Sequence, residues 1–310
     1  MSSLPTGYGS ACYADSLREF GEPILMPQSG GWFLKRPIRG FPQHDGMGCY
    51  PMLSCRDWTQ LESDLGEVGQ ELISFSAVID PFGNHDETLL NRCFPDVMIH
   101  FKNHYVTDLS KPPASYLPSR HQRNLKKSLE AVRVERCENP GAFLDDWTRL
   151  YGVLIARHSI RGLSAFSRDS FAIQLQTPGL VMFRATREGE TVGMILWLVQ
   201  NDVAYYHLAA YSEMGYESRA SFALFWTAID YFSANKLRWL NLGAGAGAGT
   251  DSTKAQTDGL SIFKSGWATG QRPAWFCGRV FDRTSYDTMV SARNQPPTPY
   301  FPAYRKGEFA

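Results

Sequence analysis

Between residues 179 and 211 the apolar positions fall in three runs, "GLVMFRATR", "TVGMILWLVQ" and "VAYYHLAAY", broken only at Glu188-Gly189 and Asn201-Asp202. Breaks this short and polar predict two hairpins and an antiparallel meander. On both sides of the meander the pattern turns helical. From Arg120 to Ala131, Leu125, Leu129 and the following Val132 share one face, with Arg120, Arg123 and Lys127 opposite. Asn139-Pro140 reads as an N-cap followed by a proline at the first helical position, opening a long helix that runs to about Ser159. The segment "RASFALFWTAIDYFSANK" is strongly apolar, which predicts a buried helix, and "LRWLNL" reads as a strand after it. "PAWFCGRVF" and "RTSYDTMVSAR" predict a further strand and a closing helix.

The first half is patterned more weakly. Trp58, Leu61, Leu65 and Val68 mark one helical face, and "ISFSAVID" alternates as a strand ended by Pro81 and Gly83. "VMIHF" and "HYVTDL" read as extended segments, and "KPPASYLP", with three prolines, as a linker.

The 310 residues are enough for two domains, and the formal net charge of zero does not announce a nucleic-acid binder, although a local patch is compatible with it. No run of about 18 apolar residues and no signal-peptide pattern is present, so the chain is read as cytoplasmic, without a transmembrane segment. Cys12, Cys49, Cys55, Cys93, Cys137 and Cys277 are scattered, which fits reduced thiols. His44, Cys49 and Cys55 lack a fourth ligand at metal-binding spacing, so no metal is expected.

A meander followed by a helix and another strand resembles the core of the GNAT acyltransferase fold. Residues 105–290 resemble the Fem-like branch of that superfamily, in "VTDLSKPPASYLPSRHQRNLKKSLEAVRVE", "FLDDWTRLYGVLIARHSIRG", "RASFALFWTAIDYF" and, most specifically, "DGLSIFKSGW". The resemblance implies an α/β (α+β) fold with two tandem GNAT-like subdomains, each a mixed, mainly antiparallel sheet flanked by helices. Residues 1–112 would form the first, with "GMGCYP" and "VIDPFG" in the weaker copy, and 113–310 the catalytic second. The long helical arm of some Fem ligases has no counterpart.

The run "GAGAGAG" from Gly243 to Gly249 invites a nucleotide-binding reading. A dinucleotide fingerprint, however, opens a helix inside a βαβ unit, and "GTDSTKAQTDG" does not read as a helix; no GK[ST] is present either. A flexible connection and a loop beside an active site remain, small residues allowing backbone to approach a substrate closely.

The resemblance implies an acyltransferase that forms an amide bond. The donor would be an aminoacyl-tRNA, without a resident cofactor, and the acceptor an amine on a small molecule or a cell-wall or natural-product precursor. An acyl-CoA-dependent N-acyltransferase of polysaccharide or secondary metabolism and a catalytically silent GNAT-fold binding module are the alternatives. CoA-dependent relatives hold the pyrophosphate with Q/R-x-x-G-x-G/A at the start of the central helix. Around Gly215 those positions carry Ser212 and Glu217, and Glu213 and Glu217 would repel phosphate.

By the same resemblance Lys264 is the first candidate for catalysis, as a point charge on the oxyanion or on the donor's ribose and phosphate, with Phe263 packed beneath it. His207 and Tyr205 are further catalytic candidates, His207 as a general base. Strand alternation puts Tyr205, His207 and Tyr211 on one face and Tyr206 on the other. Tyr211, Asn241, Gly243, Asp258, Arg157 and Arg161 are candidate substrate contacts; Asp258 also suits a cap before Gly259, and the two arginines also suit a helix C-terminus. Arg120, Arg123, Lys126 and Lys127 form the densest basic cluster, either a solvated helix face or a tRNA contact.

Overall fold

The structure, a computed structural model, describes residues 4–245, 259–294 and 296–308. Its first half runs α1 (Ala11–Asp15), β1 (Glu22–Leu25), β2 (Trp32–Pro37), β3 (His44–Gly48), α2 (Leu61–Val68), β4 (Leu72–Val78), α3 (Glu87–Cys93) and β5 (Val97–Asp108). "VMIHF" and "HYVTDL" are thus one twelve-residue strand, β5. The second half runs α4 (Ser119–Ala131), β6 (Arg133–Cys137), α5 (Leu144–His158), α6 (Arg168–Gln174), β7 (Leu180–Arg187), β8 (Glu190–Gln200), β9 (Val203–Tyr211), α7 (Glu213–Glu217), α8 (Ala220–Ala234), β10 (Trp239–Gly243), α9 (Gly259–Ser265), β11 (Gly270–Val280) and α10 (Arg283–Ala292).

Two compact units result. The first comprises Met1–Phe101, Arg161–Phe166 and Pro273–Ala310, the second Lys102–Ile160 and Ser167–Arg272. The proline-rich 111–118 stretch lies inside the second unit as a short 3-10 turn, Pro113–Ser115.

Each unit carries a mixed, mainly antiparallel sheet with the same local plan. In the first, β1, β2 and β3 form an antiparallel meander, α2 follows, β4 lies parallel to β3, and β11 runs antiparallel to β4. In the second, β7, β8 and β9 form the meander, α8 follows, β10 lies parallel to β9, and β5 runs antiparallel to β10. The strand that closes each sheet comes from the other half of the sequence, which is why a single linear cut does not separate the units.

The hairpins form where the polar pairs stand. Glu188 and Gly189 sit at φ 54° and 87°, and Asn201 at φ 54°, the left-handed geometry that matches strand twist. The nearly all-apolar α8 packs into the core of the second unit with Leu224, Phe225 and Phe232 fully buried among Trp197, Phe183 and Trp267. One helix starts later than its sequence signal. Asn139 makes no side-chain cap; Pro140–Phe143 is a 3-10 turn, and α5 begins at Leu144. Its end is as expected: Ser159 takes a left-handed conformation at φ 49° and stops the helix.

Candidate active site

The site begins where two parallel strands separate. β10 pairs with β9 at Trp239↔Val203, Leu240↔Ala204 and Asn241↔Tyr205. Beyond Asn241, β10 pairs only with β5, at Gly243↔Tyr105, while β9 continues to Tyr211 against β8. Gly243 takes φ +69°, backbone that glycine adopts without side-chain strain. In the first unit the corresponding strands stay paired to Met47↔Ser76, one residue from the end of β3.

Lys264 stands at this gap. Its helix, α9, is anchored by rings: Phe263 lies 4.8 Å from Phe225 and 5.1 Å from Phe222, and Trp267 stacks on Phe225. The next residue after Phe263 is thereby fixed. Lys264 is 5% exposed; its Nζ donates to the Ala244 carbonyl at 2.6 Å and stands 5.1 Å from the centre of the Tyr206 ring. A carbonyl and a ring face are both electron-rich, so a largely desolvated ammonium is stabilised there. A side chain at Gly243 would begin 3.4 Å from that Nζ.

Strand β9 does not alternate throughout. The register steps from Leu196↔Leu208 to Trp197↔Tyr206, so His207 is an extra residue, a β-bulge. Tyr206 and Tyr211 consequently both join the core beside α8, correcting the alternation that grouped Tyr211 with Tyr205 and His207. Tyr205 is 2% exposed and pairs with Asn241. His207 packs against α6 instead, with Nε2 3.0 Å from Gln174 Oε1, and burial pulls its pKa down to about 3. Such a ring stays neutral at physiological pH and holds a proton too weakly for a general base working near neutrality.

His104, which carried no sequence signal, belongs to the site. It is buried on β5, with Nδ1 3.1 Å from Asn241 Oδ1. Burial first, then the Lys264 charge, brings its pKa down to about 4. Asn241 Oδ1 also accepts the Gly243 backbone N–H at 2.9 Å.

The first turn of α8 is joined to a neighbouring helix. Ser128 of α4 donates from Oγ to the Arg219 carbonyl at 2.8 Å and accepts the Ala223 N–H at 3.2 Å. Arg219 itself is in left-handed backbone, and the preceding residues are already the short helix α7. Gly215 is required in it: an added Cβ would lie 2.0 Å from the Val192 carbonyl oxygen.

The remaining candidates are dispersed. Arg120, Arg123, Lys126 and Lys127 are all exposed along α4, and none forms an ion pair among the described residues. Leu129, expected on the buried face, is 49% exposed. Arg157 pairs with Glu213 at 3.1 Å and lies 4.2 Å from the Tyr216 ring centre. Arg161 is exposed and falls in the first unit. Asp258 and the Gly/Ala run beyond Gly245 lie outside the described residues. No helix among the described residues is long and apolar enough to cross a membrane.

Residues 119–249 match the family model described as an acetyltransferase (GNAT) domain. The fold is similar to that of FemX, at 13% identity over 92% of this chain and 95% of that one, with a TM-score of 0.67. It is also similar to L-PGS from Bacillus licheniformis, at 13% identity over 94% and 98% of the two chains, with a TM-score of 0.58. A third similar structure is the C-terminal domain of a putative lysylphosphatidylglycerol synthetase from Agrobacterium fabrum, at 14% identity over 90% of each chain, with a TM-score of 0.57. No curated protein sequence matches the chain. Residues 119–249 are thus an acyltransferase domain of the GNAT type. The fold of the chain as a whole is similar to that of FemX.

Proposed function

We propose that the protein transfers an aminoacyl group from aminoacyl-tRNA to a primary amine, forming an amide. The observation that carries this reading is the short helix α7, which takes up the segment just before α8. A pyrophosphate held at a helix N-terminus needs free backbone N–H groups. Here the segment before α8 is itself helical: the Gly215 N–H donates to Ser212 Oγ, the Tyr216, Ser218 and Arg219 N–H groups donate to backbone carbonyls, and Glu213 and Glu217 flank the approach. CoA loses its anchor, while an ester donor held elsewhere by its nucleic acid does not need one. The exposed cations of α4 suit that second task, since phosphate contacts position a nucleic acid without reading its sequence. The similarity to FemX and to L-PGS supports the same class of donor.

In the proposed reaction the acceptor amine attacks the ester carbonyl of the donor. A C–N bond forms and the carbonyl oxygen becomes an oxyanion, which Lys264 Nζ stabilises by charge. The C–O bond to the terminal ribose then breaks, and the ribose oxygen takes the proton that the amine gives up. Tyr205 and Asn241 line the gap on the strands that frame it. His207 is left a packing role.

Binding distinguishes the donors. Charged tRNA is expected to bind with a salt dependence of log K on log [salt] of about −3 for four phosphate contacts, whereas acetyl-CoA is expected to bind weakly. Submicromolar affinity for acetyl-CoA in a calorimetric titration would contradict the reading and favour the acyl-CoA alternative.

A further inference from the structure

Asn241 is 1% exposed, and its neighbours Leu240 and Leu242 both point into the core under α8. Alternation therefore turns the Asn241 side chain to the opposite face, at the last pair before β9 and β10 separate. Its amide orientation follows from chemistry. The Gly243 backbone N–H can only donate, so the atom it meets at 2.9 Å is oxygen. His104 Nδ1, 3.1 Å from that same oxygen, must then carry its proton and donate as well. Burial, with the Lys264 charge, keeps this ring neutral near pH 7, and the bond to Oδ1 selects the tautomer protonated at Nδ1.

Two donors on Oδ1 prevent the amide from turning. Its Nδ2 is left buried with no hydrogen-bond partner among the described residues. A buried amide N–H without an acceptor is unfavourable, and binding sites keep such groups where a ligand supplies the acceptor. Lys264 of α9 reaches the same turn: its Nζ binds the Ala244 carbonyl and lies beside Gly243, whose N–H holds the Asn241 amide, and its charge acts on His104.

We propose that Asn241 Nδ2 is a second donor to the oxyanion that Lys264 stabilises, and that His104 is the positioning residue that holds the Asn241 amide for it. This rests on the ester-donor reading above. A neutral donor locked by two hydrogen bonds adds direction to a point charge. It favours the tetrahedral oxygen over the planar carbonyl because it is aimed before the reaction starts.

The test compares two analogues by calorimetric titration. One is a phosphonate analogue of 3′-alanyl-adenosine, whose tetrahedral P–O⁻ mimics the oxyanion; the other is the planar 3′-alanylamido-3′-deoxyadenosine. Asn241→Ala is expected to weaken phosphonate binding about a hundredfold and planar-amide binding less than about threefold. Asn241→Asp also removes the donor but adds a negative charge beside the phosphonate, so the His104 variants supply the second reading should Asn241→Ala fail to fold. His104→Leu is expected to reproduce the selective loss. His104→Asn, whose Nδ2 can stand where Nδ1 stood, is expected to restore it. Equal losses on both analogues, or no loss on the phosphonate, would overturn the assignment of Asn241 and leave the donor reading standing. Wild-type protein that binds neither analogue would overturn the donor reading and this inference with it.

Discussion

Lys264 Nζ donates to the Ala244 carbonyl at 2.6 Å while standing over the Tyr206 ring at 5.1 Å, so one charge links the chain leaving β10 to the strand that has parted from it. A charge in that position is available to whatever enters between the strands.

Replacing that charge tests its role. Lys264→Ala is expected to lower single-turnover transfer by about a hundredfold or more, the loss of about 3–4 kcal/mol of transition-state stabilisation. Lys264→Arg is expected to recover little, because a planar guanidinium does not fit a contact built for a compact ammonium. Circular dichroism is expected to show an intact fold for both variants. Near-wild-type turnover for Lys264→Ala would assign the lysine to packing alone.

Ser128 joins α4 to the first turn of α8 through two hydrogen bonds. Ser128→Ala is expected to destabilise the protein by about 1 kcal/mol, as the loss of a helix cap does, and to lower the melting temperature by about 2–4 °C. An unchanged melting temperature would show that these bonds are replaced by water at no loss.

His207 and His104 set a pH dependence of stability. Their pKa values are pulled down to about 3 and about 4 by burial, against about 6.5 in an unfolded chain. Between those limits the unfolded state binds protons that the native state does not. Stability is therefore full above about pH 6.5 and falls as the pH drops, by up to about 1.4 kcal/mol per pH unit for each histidine. Melting curves between pH 7 and pH 5 are expected to show this slope, and His207→Gln is expected to reduce it. A slope unchanged in His207→Gln would mean that His207 titrates normally in the folded protein.

What the sequence made legible was local. The meander and the buried helix α8 were readable because hydrophobic period and turn residues agree at Glu188-Gly189, Asn201-Asp202 and along 220–234. Pairing over long separations was not. β5 completes the sheet of the second unit and β11 that of the first, and no periodicity encodes that exchange. The bulge at His207 reverses which tyrosines share a face, yet "VAYYHLAAY" reads the same with or without it. Of the site, the "FK" pair pointed to Lys264, and the end of "LRWLNL" to Asn241. His104 escaped because its meaning comes from Asn241, 137 residues away. Ser128 escaped because its partners lie 91 and 95 residues on, at the start of a different helix.

Label transfer reads donor identity without an intermediate step. Wild-type protein is incubated with a set of primary amines and either pooled aminoacyl-tRNA labelled in the amino acid or labelled acetyl-CoA. Label is expected to move from charged tRNA to an amine as a base-stable amide, with no transfer from acetyl-CoA above the rate without protein. Label moving from acetyl-CoA and not from charged tRNA would contradict an aminoacyl-tRNA donor.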